Sequence, residues 1–241
     1  MYAPAPATRF ADTWRERLAS GPDADPLLVE QFRRLAATLY HAQAANGIRT
    51  IMVTSASPED GKTTTAVNLA LVLSESYRRR VLLVDADLRR PSIANLTGLT
   101  DAAGLSETLR ASTEQKLALV AVTPLLTLLP AGQAIADPIS ALTSLRMRRI
   151  LDEAALGFDW VILDAPPVGA VTDASLLAEM VDGTLFVVRA AQTQYQLVRK
   201  AIDSLGRDRL LGVVLNGVAS MSSGQYDQYY SASTETLRSK S

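Results

Sequence analysis

Residues 50–64 read TIMVTSASPEDGKTT, and they contain the pattern of a strand, a loop and the start of a helix. The first five residues have the pattern of a buried β-strand, and the apolar residues that follow predict a helix over residues 63–76. A phosphate-binding loop needs inward-facing backbone N–H groups, a helix N-terminus, a lysine and a hydroxyl, and the Gly-Lys-Thr at 61–63 supplies the last parts in order. Ala56 stands where such a loop usually begins with glycine. The strand before and the helix after nevertheless favour a phosphate site.

Short apolar runs alternate with helical stretches along the rest of the chain. With Thr50–Thr54, the runs that fit buried strands are Val81–Val84, Leu125–Leu129, Trp160–Leu163, Thr184–Val188 and Gly212–Leu215. Apolar residues at helical spacing predict a first helix over Pro26–Tyr40. Continuous apolar strands separated by helices indicate a parallel sheet covered on both faces. The predicted fold class is therefore α/β, with a doubly wound and mostly parallel sheet.

Composition divides the chain into three parts. Residues 1–25 are rich in Ala and Pro and are interpreted as a flexible N-terminal leader. Residues 26–220 form the predicted phosphate-loop domain. Residues 221–241 are rich in serine and almost free of aliphatic side chains, so they cannot bury enough surface to offset the entropy of ordering. This last part is predicted to be a disordered C-terminal tail.

The overall composition excludes several kinds of site. The 24 Lys and Arg nearly balance 25 Asp and Glu, which argues against a basic surface for nucleic acid. His41 is the single histidine and Cys is absent, which excludes histidine-rich metal clusters, zinc–thiolate sites and thiol nucleophiles. No apolar run reaches the roughly eighteen residues of a membrane-spanning helix, and the N-terminus lacks a secretory signal pattern. We therefore expect a soluble, cytoplasmic chain.

Acidic residues end two of the predicted strands. Asp85 and Asp87 follow one strand, with Arg89 two residues later, and Asp164 follows another strand and precedes two prolines. In a doubly wound sheet, ligands bind at the carboxyl ends of the strands. Asp85 can reach a metal ion or accept a proton, Arg89 can offset phosphate charge, and Asp164 can hold Mg²⁺ beside the loop hydroxyl. Each residue alone is compatible with a cap, an ion pair or a turn, but together they indicate a nucleotide site.

The predicted site has three groups of residues. Those expected to bind the nucleotide are Ser57, Pro58, Glu59, Asp60, Gly61, Lys62, Thr63, Thr64 and Asn216. Those expected to take part in catalysis are Lys62, Asp85, Asp87 and Arg89, and those expected to hold a metal ion are Thr63, Asp85 and Asp164. Asn216 can hydrogen-bond an adenine edge or simply form a turn, and the sequence leaves both interpretations open.

These motifs together resemble those of bacterial tyrosine autokinases (BY-kinases) of the capsule and exopolysaccharide type. The similarity runs from about Leu28 to Val218. It includes Glu30-Gln-Phe-Arg33-Arg-Leu, Gly104-Leu-Ser, Leu129-Pro-Ala-Gly132 and Val171-Thr-Asp173-Ala-Ser. Residues 151–183, LDEAALGFDWVILDAPPVGAVTDASLLAEMVDG, look particularly like this family. The resemblance implies a P-loop NTPase-like fold of the deviant Walker type, related to ParA and MinD.

The resemblance also implies an activity and its cofactors, ATP and Mg²⁺. Lys62 and the loop amides would hold ATP, while Thr63 and Asp164 would organise Mg²⁺. Asp85 would accept the tyrosine proton, and Asp87 would assist the placement of the metal or the loop. The acceptors would be tail tyrosines of a neighbouring subunit, and three of the seven tyrosines of the chain fit that role: Tyr226, Tyr229 and Tyr230. The implied role is the regulation of capsule or exopolysaccharide synthesis and export.

The partners follow from the same resemblance. A homo-oligomeric ring is implied, with Glu30 and Arg33 at its interface. Ala36 occupies the position of a second arginine, so the interface is expected to be weakened or built differently. An inner-membrane polysaccharide copolymerase would act as chain-length partner and activator, and a tyrosine phosphatase would reverse the reaction. No nucleic-acid partner is implied. The expected location is cytoplasmic, peripheral to the inner membrane through the partner.

Two other functions share part of the pattern. An ATPase switch of the ParA or MinD type has the same fold, but such proteins carry a second lysine at the position of Ser57. A nucleotide-binding regulatory scaffold without kinase activity would keep Lys62 and bind ATP without modifying the tail. Phosphotyrosine formed on incubation with ATP distinguishes the kinase from both alternatives.

Overall fold

The computed structural model describes residues 18–21, 24–94, 103–113, 116–169 and 171–218. Its helices are α1 (Pro26–Asn46), α2 (Lys62–Glu75), α3 (Leu105–Arg110), α4 (Ile139–Leu142), α5 (Leu145–Gly157), α6 (Asp173–Ala178) and α7 (Tyr195–Leu205). Its strands are β1 (Thr50–Ser55), β2 (Val81–Asp85), β3 (Val120–Ala121), β4 (Leu126–Leu129), β5 (Trp160–Asp164), β6 (Gly183–Arg189) and β7 (Leu210–Asn216).

The strands form one seven-stranded sheet in the order β3-β4-β2-β5-β1-β6-β7. Every neighbouring pair is parallel except β3 and β4, which are antiparallel. The predicted α/β fold with a mostly parallel sheet is therefore confirmed, and all six predicted strands are present. The antiparallel β3 was missed because two residues are too few to give a hydrophobic period.

The core has two layers, one on each face of the sheet. Successive side chains of β1 point to opposite faces, as in any strand. Ile51 and Val53 pack in the layer that contains α1 and α2, whereas Met52 packs with residues of α5, α6 and α7. Helix α2 is buried along most of its length, which fixes its first turn beside the carboxyl ends of β1, β2 and β5.

Helix α1 begins and ends with recognisable caps. The Asp25 carboxylate accepts a hydrogen bond from the Leu27 N–H at 2.9 Å, and Pro26 occupies the first turn. The helix ends at Asn46 and is followed by Gly47, whose φ of 71° is left-handed, as is common after the last residue of a helix. α1 is therefore six residues longer than the predicted helix, which ended at Tyr40. At 21 residues α1 is long, yet none of the helices described here combines the length and the hydropathy needed to cross a membrane.

The described part of the predicted leader packs against the rest of the chain. Leu18 and Ala19 are each 5% exposed and belong to the core, and the Ala19 N–H donates to the Asn68 side chain at 2.7 Å. The Ser20 hydroxyl donates to Glu75 at the end of α2. Apolar and hydrogen-bonding contacts thus tie this segment to α2, which composition alone does not reveal. Residues 1–17 and 22–23 of the predicted leader, and the whole predicted tail at 221–241, lie outside the described residues.

Candidate functional site

The loop between β1 and α2 turns through left-handed backbone conformations. Glu59 has a φ of 67° and Gly61 a φ of 97°. A Cβ at Gly61 would also lie 1.9 Å from the Asn216 side-chain nitrogen, so a larger residue would displace that side chain. As the N-cap of α2, Gly61 has no side chain to accept from the first turn, and that turn contains no acidic residue. The N–H groups of this helix end are therefore oriented for an anion.

Carboxylates from two neighbouring strands meet beside this helix end. Asp85 and Asp164 are opposite one another in the parallel pairing of β2 with β5. The Thr63 hydroxyl donates to Asp164 Oδ2 at 2.6 Å. The Lys62 ammonium lies 3.2 Å from Asp87 Oδ2 and 3.6 Å from Asp164 Oδ1. The structure thus brings five of the predicted site residues together.

Asp85 is fully buried and only partly satisfied. Its Oδ2 accepts hydrogen bonds from the backbone N–H groups of Ser92 and Ile93, at 3.1 and 2.9 Å. Its Oδ1 has no hydrogen-bond partner among the described residues. Burial first, and then the negative charge of Asp164, raise the pKa of Asp85 from 3.8 to about 7. A carboxyl group with that pKa exchanges its proton readily near neutral pH.

The other buried charges oppose one another. Burial raises the pKa of Asp164, although the Lys62 charge and the Thr63 hydrogen bond act in the opposite direction. Burial opposes the charge of Lys62, but the carboxylates of Asp164 and Asp87 outweigh it, so the pKa of Lys62 is raised above its ordinary value. Lys62 consequently stays protonated. One ammonium faces several carboxylates, which makes the arrival of a further cation electrostatically favourable.

The oxygen atoms of this cluster fit a magnesium ion. Oδ1 of Asp85 and Oδ1 of Asp164 are buried and accept no hydrogen bond from the described residues. The Thr63 hydroxyl donates to the other carboxylate oxygen of Asp164, Oδ2. Mg²⁺ prefers oxygen ligands and is usually held by one or two carboxylates together with water and phosphate. In the described part of the chain, no three His, Cys, Asp or Glu side chains are placed to hold a metal ion together.

Arg89 makes an ion pair with Asp173, a partner that the sequence did not identify. Its Nε and Nη2 donate to the two carboxylate oxygens of Asp173, at 2.6 and 3.1 Å, and its Nη1 donates to the Ala136 carbonyl. Asp173 is 1% exposed at the start of α6. This arrangement joins the segment after β2 to α6. The role of Arg89 in offsetting phosphate charge stays a prediction, and in this structure Asp173 engages its guanidinium.

Asn216 contacts the loop itself. Its side-chain nitrogen donates to the Asp60 carbonyl at 3.0 Å, directly above Gly61. Neither the adenine interpretation nor the turn interpretation described this contact. Of the other predicted loop residues, Asp60 is buried, Ser57 and Thr64 are half-buried, and Pro58 and Glu59 are exposed.

Sequence reasoning missed four residues around the site: Ser92, Asp173, Arg189 and Thr193. Ser92 shares a hydrogen bond of 3.2 Å with the Thr63 hydroxyl. Arg189 ends β6, the strand beside β1, and its guanidinium donates to the Glu59 carbonyl at 3.0 Å. The rule that strand ends carry the site could have found Arg189. No pattern in the sequence marked the others, since their contacts join distant segments.

The predicted interface residues lie at the opposite end of α2 from Gly61. Glu30 pairs with Arg34 one turn away, at 3.4 Å. Arg33 Nε donates to the Ser76 hydroxyl at 3.4 Å. Ala36 is fully buried in the core. Ala36 occupies the place of the expected second arginine, so that position faces the core in this protein. The interface role of Glu30 and Arg33 stays a prediction.

Comparison with known proteins agrees with this geometry. A protein-family model named ParA, described as the NUBPL iron-transfer P-loop NTPase, matches residues 47–236. Tyrosine-protein kinase YwqD of Bacillus subtilis (strain 168) is 33% identical over 203 residues, which cover 83% of this chain and 85% of YwqD. The chain belongs to the bacterial tyrosine-protein kinase family. The resemblance inferred from the motifs is thereby confirmed, and the enzyme class of this kinase is protein-tyrosine kinase.

Two further comparisons show what share of a relative's length the kinase matches. Succinoglycan biosynthesis transport protein ExoP of Rhizobium meliloti (strain 1021) is 32% identical over 207 residues, covering 83% of this chain and 26% of ExoP. The solved kinase domain of Escherichia coli tyrosine kinase ETK has a TM-score of 0.73 and 31% identity, covering 81% of this chain and 78% of that chain. The kinase thus spans most of YwqD and about a quarter of ExoP.

Proposed function

We propose that this kinase transfers the γ-phosphoryl group of ATP to tyrosines of its own C-terminal tail, in trans between subunits. The proposed acceptors are Tyr226, Tyr229 and Tyr230. One observation carries the proposal: Lys62, Thr63 and the buried carboxylates converge at the N-terminus of α2. The proposed division of the chain is a catalytic domain at 26–220 and a disordered tail at 221–241.

In this proposal the loop and Lys62 bind the phosphates of ATP. The uncapped first turn of α2 offers N–H groups and the positive end of the helix dipole. Lys62 stays protonated and exchanges its contacts with Asp87 and Asp164 for contacts with the outer phosphates. Thr64, half-buried in the same turn, is proposed to contact an inner phosphate through its hydroxyl.

Thr63 and Asp164 are proposed to hold Mg²⁺, with Asp85 nearby as a further oxygen donor. The ion, when bound, neutralises part of the charge on the β- and γ-phosphates. The hydrogen bond of 2.6 Å from Thr63 to Asp164 fixes the directions of both side chains in advance. Asp87 accepts from the Arg90 N–H at 3.1 Å and from Lys62, so it keeps the lysine at the mouth of the loop.

Asp85 is proposed as the general base for the acceptor tyrosine. The phenol proton passes to the Asp85 carboxylate, the phenolate oxygen bonds to the γ-phosphorus, and the bond from that phosphorus to its β–γ bridging oxygen breaks to release ADP. The unpartnered Oδ1 of Asp85 leaves a lone pair for that proton. A pKa of about 7 balances proton affinity against the need to be ionised before the reaction. Arg89 is proposed to offset charge on the phosphates.

Substitution of Asp85 tests the chemical part of this proposal. Asp85→Asn should lower phosphotyrosine formation by about 100-fold or more, the usual contribution of a general base, while ATP binding stays nearly unchanged. Asp203→Asn is the matched control, because Asp203 is an exposed residue of α7 that pairs with Arg207. Equal labelling of wild type and Asp85→Asn would remove Asp85 from the role. ATP binding without labelling of the wild type would favour the regulatory scaffold.

A mixing experiment tests transfer between subunits. One variant, Lys62→Ala, keeps the tail tyrosines but lacks the phosphate-binding lysine. The other keeps Lys62 and has Tyr226, Tyr229 and Tyr230 replaced by Phe. The mixture should acquire phosphotyrosine on the Lys62→Ala chain, whereas neither variant alone should be labelled on the tail. An unlabelled mixture of chains that do associate would contradict transfer in trans.

The proposed assembly and partners rest on the kinase family. We propose a homo-oligomeric ring with Glu30 and Arg33 of α1 at the interface, an inner-membrane polysaccharide copolymerase that activates the kinase, and a tyrosine phosphatase that opposes it. The name of ExoP, a succinoglycan biosynthesis transport protein, supports a role in capsule or exopolysaccharide synthesis and export. The proposed location is cytoplasmic and peripheral to the inner membrane. Arg33→Glu should reduce the oligomer mass in light scattering, and an unchanged mass would contradict this interface.

A further inference from the structure

The phosphate loop is held on one side by a network that we call the loop brace: Asp60, Arg189, Thr193 and Asn216. Asp60, at its centre, is 3% exposed. Its Oδ2 accepts from the Ser57 N–H at 2.9 Å, and its Oδ1 accepts from the Thr193 hydroxyl at 2.7 Å. One carboxylate therefore links the turn of the loop to the segment that follows β6.

The Thr193 hydroxyl is oriented by its own surroundings. It accepts from the backbone N–H of Arg189 at 3.1 Å, which occupies an oxygen lone pair and leaves the hydroxyl hydrogen for Asp60. The Thr193 N–H in turn donates to the Arg189 carbonyl at 3.0 Å. This small turn directly follows β6, which is paired with β1, so its position is set by the sheet. Thr193 thus connects Asp60 to a rigid element.

The remaining contacts of the brace hold the backbone carbonyls of Glu59 and of Asp60 itself. The Arg189 side chain donates to the Glu59 carbonyl at 3.0 Å, and the Asn216 side chain donates to the Asp60 carbonyl at 3.0 Å. Glu59 and Gly61 both have left-handed φ values, and Glu59 is not a glycine. Such a backbone persists only where its surroundings over-determine it. The brace supplies those contacts.

We propose that Thr193 is a positioning residue for phosphate binding. Through Asp60 it holds the loop in the conformation in which the amides after Gly61 face the phosphates. It lies outside the cluster of Lys62 and the carboxylates, so its loss should weaken nucleotide binding more than the chemical step. This inference rests on the proposed binding of ATP at the loop.

The test compares Thr193→Val, which removes the hydroxyl at nearly constant shape, with Thr193→Ser, which keeps it. Thr108→Val is the matched control, because the Thr108 hydroxyl donates to the Gly104 carbonyl in the buried part of α3. We expect Thr193→Val to raise the dissociation constant of Mg·ATP by about tenfold, the effect of about 1.4 kcal/mol. The labelling rate at saturating ATP should stay within about twofold of wild type, because the carboxylate cluster is untouched.

The serine variant and the control decide between positioning and general stabilisation. Thr193→Ser should bind Mg·ATP nearly as wild type does, and Thr108→Val should leave binding unchanged whatever it does to the urea midpoint. Equal binding by Thr193→Val and wild type, or equal weakening by the serine and valine variants, would overturn the inference. Should Thr193→Val not fold, Thr193→Ala removes the same hydroxyl, and unchanged binding by that variant would overturn the inference. Failure of the wild type to bind Mg·ATP would instead refute the proposed function.

Discussion

Replacing Asp85 by Asn should make the nucleotide-free protein more stable. Asp85 is fully buried, and its pKa is about 7 in the folded protein against 3.8 as an ordinary carboxyl group. The folded state therefore binds this proton more tightly than the unfolded state. The stabilising effect of that proton is fully present below pH 3.8, and it is lost as the pH rises towards 7. Above pH 7 the buried carboxylate is a constant penalty.

The size of the effect follows from the two pKa values. About three units at 1.36 kcal/mol each correspond to a penalty of about 4 kcal/mol at pH 8, falling to below about 2 kcal/mol at pH 5. Asn keeps an oxygen for the N–H groups of Ser92 and Ile93, so the substitution removes the charge without breaking those bonds. We expect a gain of roughly 2–4 kcal/mol in the free energy of unfolding at pH 8. The gain can be smaller than the full penalty because the NH₂ group of the new Asn is buried without a hydrogen-bond partner, which costs free energy.

Urea denaturation of the nucleotide-free protein at pH 5 and pH 8 measures this gain. Asp159→Asn is an informative comparison. Burial alone would raise the pKa of Asp159, but hydrogen bonds from Arg80 outweigh it and lower that pKa, so this substitution should destabilise. An Asp85→Asn variant that is no more stable than wild type at pH 8, or whose gain is the same at both pH values, would refute the electrostatic account of the site.

Three other predictions follow from named contacts. With Asp85 as the base, kcat/KM for ATP should rise about tenfold from pH 6 to pH 8, because a carboxyl group with a pKa of about 7 becomes ionised over that range. The values are corrected for ATP binding measured at the same pH values, and a flat profile would exclude that role. Arg89→Lys cannot reproduce the paired hydrogen bonds to Asp173, so it should lower the free energy of unfolding by about 1–3 kcal/mol in urea, and an unchanged value would contradict the importance of that pair. Gly61→Ala places a Cβ 1.9 Å from the Asn216 nitrogen, on a residue whose φ of 97° is strained for alanine. Titration calorimetry should therefore show that Mg·ATP binding is lost. Unaltered affinity would argue against the observed loop conformation.

The sheet and the carboxylate cluster were predictable because both follow from local pattern. A short run such as Trp160–Leu163 is apolar throughout, and this is the pattern of a strand that is buried on both faces of a sheet. Parallel strands end at one edge of the sheet, so acids that follow two such runs are expected to meet there. Asp85 and Asp164 do lie opposite one another in register.

The contacts that hold the loop were not predictable from the same patterns. Thr193 lies 133 positions from Asp60, and no sequence pattern near either residue predicts the hydrogen bond that joins them. The burial of Leu18 and Ala19 was hidden in the same way, because the segment around them is Ala- and Pro-rich and packs on a helix far along the chain. Side-chain partners between distant segments depend on tertiary packing, and short apolar pieces without a period give no sign of it.

We propose above all that the site at Gly61 and the buried carboxylates transfers phosphate from ATP to tail tyrosines. Mass spectrometry of the purified protein after incubation with Mg·ATP tests it directly, with Lys62→Ala as the comparison. We expect phosphate on one or more of Tyr226, Tyr229 and Tyr230 in the wild type and none in Lys62→Ala. Wild-type protein that binds ATP but carries no phosphotyrosine, or a Lys62→Ala variant labelled as fully as wild type, would contradict it.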